Sequence, residues 1–126
     1  MRVKMSKAFE LQSLCEKLGE EILPLRVSYK IAKAQIVITE EINFFKKQYA
    51  NYLNLFAQKD ENGEYITTAS GGIKIIEGSE KECANKFKEL EDLEFDLPNF
   101  EFTLDELEGL NLSLADVSIL TPFITE

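Results

Sequence analysis

The chain has 126 residues, 44% of them apolar, with nine Phe and four Tyr. That is enough for one domain hiding about two-thirds of its unfolded surface. It carries 23 acidic against 14 basic residues, net −9, with no His and no Trp. These counts exclude a wholly disordered chain and every mechanism built on imidazole: Ser-His-Asp triads, Cys-His pairs and His-ligated zinc.

The start, Met1-Arg2-Val3-Lys4-Met5-Ser6-Lys7, is basic, but Glu10, Glu16, Lys17, Glu20 and Glu21 break up any apolar run after it, so no secretory leader is expected. The first predicted helix runs from Ser6, as cap, to Leu23, where Pro24 ends it. Its apolar stripe is Phe9, Leu11, Leu14, Cys15, Leu18 and Ile22, and Gly19 loosens the last turn.

The next segment carries the strongest pattern. Ile31, Gln35, Ile38, Ile42, Phe45, Tyr49, Tyr52 and Phe56 alternate spacings of four and three, an a/d heptad stripe with Gln35 its one polar member. A helix over 25–58, with Pro24 suited to its first position, would be about 50 Å long. Its first residues, Arg26-Val27-Ser28-Tyr29, also suit an extended segment. A helix of this length needs partners, either the shorter helices or a second copy of itself, and Ile38, Ile42, Phe45, Tyr49, Tyr52 and Phe56 are the expected seam. The uncharged apolar run Ala34 to Thr39 falls far short of the roughly 20 residues that span a bilayer.

Lys59-Asp60-Glu61-Asn62-Gly63 breaks the helix. Glu64–Thr68 and Ile73–Glu77 then read as a β-hairpin around Ala69-Ser70-Gly71-Gly72. Gly71-Gly72 lacks the Lys-Ser/Thr and the helix that a phosphate loop needs. Asp60-Glu61-Asn62-Gly63-Glu64 matches only a fragment of a calcium loop. Ser79-Glu80-Lys81-Glu82 predicts a capping box for a third helix over 80–92, whose Cys83, Phe87 and Leu90, with Leu93, can join the seam. Beyond it, Glu94-Phe95-Asp96-Leu97 and Phe100-Glu101-Phe102 alternate acidic and apolar residues as short strands or extended arms. Thr103 and Ser113 cap two short helices, one ending at Gly109 and one before Pro122, and Pro122-Phe123-Ile124 is an apolar anchor. No internal repeat is visible.

The expected fold is therefore α+β and mainly helical, as a single domain. An antiparallel, coiled-coil-like helical hairpin over 1–58 is followed by a β-hairpin over 59–78, a helix over 79–92 and an acidic segment over 93–126. Cys15 and Cys83, each on a buried helical stripe, read as small core hydrophobes of a reduced, cytoplasmic protein.

Charge is distributed unevenly. Residues 1–58 are net +3, whereas residues 89–126 hold eleven acidic groups and no Lys or Arg. Such a segment repels phosphate backbones and anionic lipid, so neither nucleic acid nor membrane is an expected partner. It attracts a basic protein surface, with Glu91, Asp92, Glu94, Asp96, Glu101, Asp105, Glu106 and Glu108 as the candidate contacts. The intramolecular alternative is that it neutralises Lys30, Lys33, Lys46 and Lys47. No set of residues assembles a nucleophile, a base and an oxyanion site, and the hydroxyls of Ser79, Thr103 and Ser113 are explained by capping. The expectation is a non-enzyme with no cofactor and no metal.

Several strings resemble a loose group of small proteins encoded by phages and prophages of Gram-positive bacteria. They are Leu23-Pro24-Leu25-Arg26-Val27-Ser28-Tyr29-Lys30-Ile31-Ala32-Lys33, Lys59-Asp60-Glu61-Asn62-Gly63, Phe102-Thr103-Leu104-Asp105-Glu106-Leu107, Leu112-Ser113-Leu114-Ala115-Asp116 and Leu120-Thr121-Pro122-Phe123-Ile124. The resemblance implies a viral accessory protein acting in the host cytoplasm, and it carries over no functional residue. Two functions fit. One is a protein that binds a basic partner through its acidic end, inhibiting a host defence or nucleic-acid-processing protein. The other is a virion-assembly or chaperone-like protein that forms a homo-oligomer through its long heptad helix.

Overall fold

The computed structural model describes residues 1–125. In chain order the elements are β1 (Arg2–Lys4), a 3-10 turn (Met5–Lys7), α1 (Ala8–Gly19), α2 (Leu25–Phe56), α3 (Glu80–Asp92), β2 (Glu94–Asp96), β3 (Phe102–Thr103), α4 (Leu104–Leu107), α5 (Leu114–Leu120), a 3-10 turn (Thr121–Phe123) and β4 (Ile124–Thr125). The class is α+β and mainly helical, with a long helix packing on others and a small antiparallel sheet. The chain gathers into two units. One comprises Met1–Ile42 and the chain from Glu94 onward, and the other Asn43–Leu93.

In the first unit, α1 buries Ala8, Leu11, Leu14, Cys15 and Leu18, and α2 buries Val27, Ile31, Ala34, Ile38 and Ile42. The segment Arg26–Tyr29 is helical, not extended. Two predicted details of α1 are corrected. Lys7 stands at the N-cap without a side-chain bond, so Ser6 is not the cap; it lies inside the 3-10 turn. The helix stops at Gly19, and Ile22, which the periodicity placed on the buried stripe, lies fully exposed in the link to α2. Glycine is a poor helix former, and the helix ends on it about one turn before the proline.

The basic start, for which the sequence predicts no element, is a strand. β1 pairs antiparallel with β2 in the register Arg2↔Asp96, Val3↔Phe95 and Lys4↔Glu94. Val3 and Phe95 are buried on one face while the charged residues lie on the other. β3 pairs with β4 in parallel, Phe102 opposite Ile124. The apolar members of the acidic segment enter the core: Phe95, Leu97, Phe100, Phe102, Leu120 and Phe123 are all buried. Phe100 meets Phe102 edge-to-face with centroids 5.0 Å apart, and Phe123 at 4.9 Å. Such pairs contribute about 0.5–1.5 kcal/mol beyond area burial.

In the second unit, the later part of α2 and α3 share an aromatic contact. Phe87 stacks on Tyr49 at 4.7 Å and meets Tyr52 at 6.1 Å, and Tyr49 stacks on Phe45 at 5.9 Å. Cys83 and Leu90 are buried, whereas Leu93 is largely exposed. The predicted Ser79 capping box is not formed: the Ser79 side chain makes no cap bond, and Glu80 instead accepts from the Gly78 N–H at 3.0 Å.

Between these helices the expected hairpin is one part of a three-part arrangement. Antiparallel bridges join Ala57 to Ile75, Lys59 to Tyr65 and Thr67 to Ile73, and the hairpin is kept in short form around the last of these, with the Thr68 N–H donating to the Gly72 carbonyl at 2.7 Å and the Lys74 N–H to the Ile66 carbonyl at 2.8 Å. The Gln58 N–H donates to the Lys74 carbonyl at 2.8 Å, Lys74 N–H to Ile66 at 2.8 Å and Ile66 N–H to Gln58 at 3.0 Å, closing a ring. The ring members are eight residues apart. A repeat absent from the residue identities is thus present in the backbone. The turns Asp60–Gly63 and Thr68–Gly71 each end on a glycine of positive φ (79° and 89°), a conformation that other residues adopt at a cost.

Phe100→Ala should cost about 3–5 kcal/mol, because it removes the ring that touches both Phe102 and Phe123. Phe44→Ala, at an exposed position, should stay within about 0.5 kcal/mol. Urea unfolding of the two variants checks the difference.

Candidate functional site: an acid-edged apolar groove

The acidic segment folds because its apolar alternation supplies core residues and its hydroxyls supply caps. At α4 the Glu106 N–H donates to Thr103 Oγ1 at 3.2 Å, and the Thr103 N–H donates to Glu106 Oε1 at 3.0 Å. At α5 the same exchange links Asp116 N–H to Ser113 Oγ at 3.1 Å and Ser113 N–H to Asp116 Oδ2 at 3.0 Å. Both predicted capping boxes are therefore formed.

Each capping carboxylate also meets a lysine from a helix. Lys30 Nζ donates to both oxygens of Glu106, at 3.1 and 3.0 Å, and to the Glu101 carbonyl at 2.7 Å, and it lies 5.3 Å from the centroid of the Phe102 ring. Lys17 donates to Asp116. The Glu106 carboxyl is held below its ordinary range by the Thr103 N–H first and the Lys30 ammonium second. Asp116 is held down by Lys17 first and the Ser113 N–H second.

The intramolecular neutralisation foreseen in the sequence thus reaches Lys30, but its second cation is Lys17 rather than one of the other lysines. Lys33 lies over the Tyr29 ring at 5.0 Å, and Lys46 and Lys47 form no ion pair among the described residues.

The eight candidate contacts divide into two groups. Glu94 lies 3.5 Å from Arg2, Asp96 3.2 Å from the Met1 amino nitrogen and Asp92 3.8 Å from Lys88, and Glu106 is bound by Lys30. The side chains of Glu91, Glu101, Asp105 and Glu108 form no ion pair among the described residues and are exposed. Glu91 and Asp92 belong to the second unit, so the eight do not form one surface within the first.

Glu108 borders something that sequence reasoning missed. A cavity of about 410 Å³ is lined by Leu104, Leu107, Leu110, Leu112, Val117 and Ile124, together with Glu108. Leu104 remains 60% exposed and the neighbouring Leu114 84%. The spacing of Leu104, Leu107, Leu110, Leu112 and Leu114 was the available signal, but it reads equally as core.

The proposed seam also divides. Ile38, Ile42 and Phe56 are buried within the chain's own units, and Phe45 and Tyr52 are half-buried. Tyr49 is 41% exposed. Both cysteines are buried, and burial, with Glu16 second, pushes the Cys15 thiol up to about 12, far from reactive thiolate chemistry. Asp60 Oδ1 accepts from the N–H groups of Asn62 and Glu64 at 2.8 and 3.0 Å, serving as a turn anchor. Among the described residues no cluster of three or more potential ligands could hold a metal ion, and no helix is long and apolar enough to cross a membrane.

Because Glu106 and Asp116 have lowered pKa values in the folded chain, the unfolded chain binds protons more readily. Their stabilisation is complete above the unfolded pKa, roughly 4, and is lost as pH falls through the folded values. Thermal melts taken from neutral pH into acid should show Tm dropping in that window. Glu106→Gln should lower Tm at neutral pH and flatten the acid decline. An unchanged acid slope would show that this carboxylate does not couple to folding.

Compared with protein-family models, curated proteins and solved structures, the chain matches none.

Proposed function

We propose that this chain is a non-enzymatic accessory protein that binds a partner protein through its C-terminal acidic face. The partner presents a surface that is basic at its edge and apolar at its centre. In an infected bacterium this would be a host defence or nucleic-acid-processing protein. The observation that carries the reading is an open leucine-lined groove whose wall includes the unpaired carboxylate of Glu108, with the exposed Asp105 next to Leu104 in the chain. An apolar centre with a charged edge is the usual anatomy of a protein-binding patch, with the centre supplying affinity and the edge supplying orientation and on-rate.

A tagged full-length chain incubated with host lysate should retain a basic protein at roughly 0.1 M salt and release most of it at 1 M, as the Debye length falls from about 10 to about 3 Å. The double variant Asp105→Asn, Glu108→Gln should weaken retention by about tenfold, given up to about 1 kcal/mol per exposed pair. Glu94→Gln, whose carboxylate already faces Arg2, should change it little. Salt-insensitive retention, or equal loss in both variants, would sink the reading.

A second reading, self-association through α2, is favoured by the exposure of Phe44 and Tyr49. Ile42→Asp would test folding rather than assembly, because Ile42 is buried in the chain's own core. Phe44→Glu is the informative change. Sedimentation should show a concentration-dependent mass that this variant abolishes, and a constant monomer mass in the unaltered chain would end this reading.

A further inference from the structure

The second cavity of the first unit carries the opposite charge to the leucine groove. It holds about 480 Å³ and opens along β1, taking Arg2, Val3 and Lys4 as walls but no residue of β2. Its remaining apolar walls include Leu11 of α1, Ile119 of α5 and Phe123 of the 3-10 turn that follows it. Lys7 joins the two lysine and arginine side chains of β1, and the cavity's one acidic residue, Glu10, lies 3.9 Å from Lys7. Lys4 forms no ion pair among the described residues.

The backbone at this cavity is also open. Sheet β1–β2 has two strands, so β1 keeps one free edge. The Leu97 N–H donates to the Met1 carbonyl at 2.8 Å, and the Met1 nitrogen lies 3.5 Å from the Leu97 carbonyl. In an antiparallel ladder such doubly bonded pairs alternate with non-bonded ones. Met1–Leu97 and Val3–Phe95 are therefore the bonded pairs, and the N–H and carbonyl of Arg2 and the N–H of Lys4 turn away from β2 toward the free edge, the Lys4 carbonyl being taken by the 3-10 turn that it caps.

β2 shows what β1 selects. Its Glu94-Phe95-Asp96 sets acids opposite Lys4 and Arg2 and an apolar ring beside Val3. We propose that the free edge of β1 accepts an extended segment of a partner protein with the same acidic–apolar–acidic alternation, which adds as a third strand. Its backbone would bond to the Arg2 N–H and carbonyl and to the Lys4 N–H, and its acids would face Arg2, Lys4 and Lys7. Its apolar side chain would enter the cavity against Leu11, Ile119 and Phe123. This surface is separate from the acid-edged groove and stands or falls independently of it.

The probe is a fluorescently labelled synthetic peptide copying residues 91–99 of this chain, titrated with the full-length protein and followed by anisotropy. Saturable binding is expected, weakened at least about tenfold by Lys4→Glu, an exposed position whose change leaves the core intact. Replacing the peptide's acids with Lys should abolish binding. So should N-methylation of alternate peptide amides, which keeps every charge but blocks strand addition. Hydrogen exchange should show new protection at the Arg2 and Lys4 amides with protection at Phe95 unchanged. Absence of binding, equal binding of the N-methylated peptide, or loss of protection at Phe95 would overturn the proposal. The first would mean that Arg2 and Lys4 only guard an edge strand. The last would mean that the peptide merely exchanges with β2.

Discussion

The ammonium of Lys30 touches two carboxylate oxygens of Glu106, the carbonyl of Glu101 and the face of Phe102, all from one position on α2. The chain beyond Lys88 contains no cation of its own, so any charge satisfied there must be met from elsewhere. Lys30 does this where the aromatic core begins: Phe102 lies under the ammonium, with Phe100 and Phe123 packed behind it. Glu106 is committed twice, to the lysine and to its own helix cap. The placement of α4, and with it the walls of the leucine groove, depends on that double commitment.

Acidity is consequently not one property of this segment but two. Carboxylates at Glu94, Asp96, Glu106 and Asp116 are engaged by cations from the amino-terminal half, and those at Glu101, Asp105 and Glu108 are not. Only the second group retains the field that attracts a basic partner, because a paired carboxylate presents little net charge beyond a Debye length. Where the free carboxylate of Glu108 stands beside open apolar surface, the face is apolar with an acidic edge, and it is there that we place the proposed recognition. Where Arg2 and Lys4 meet a cavity of opposite character, the same fold presents a second, basic edge.

Helix α2 illustrates how far a periodic pattern can be read. Its stripe is buried in the Leu25–Ile42 part, where Val27, Ile31, Ala34, Ile38 and Ile42 face the core. In the remainder, aromatic rings stack on Phe87 while Tyr49 keeps much of its surface in solvent. A heptad spacing reports that one face is apolar. It does not say whether that face is covered by the chain itself or by a copy, because both coverings bury the same atoms.

The helices, the acidic end, the two capping boxes and the burial of both cysteines were legible because each depends on neighbours within a few residues. Periodicity, proline stops and Ser/Thr-x-x-acid spacing act locally. The pairing of Arg2–Lys4 with Glu94–Asp96 joins segments about ninety residues apart, and a three-residue strand carries too little pattern to announce a partner at that distance. The ring of Gln58, Ile66 and Lys74 was equally hidden, since it is made of backbone groups that every residue possesses. The division of the carboxylates into paired and free was also beyond local pattern. Charge is written in the sequence, but whether it is spent depends on which lysine the fold brings within about 4 Å, and that is settled only when the core closes.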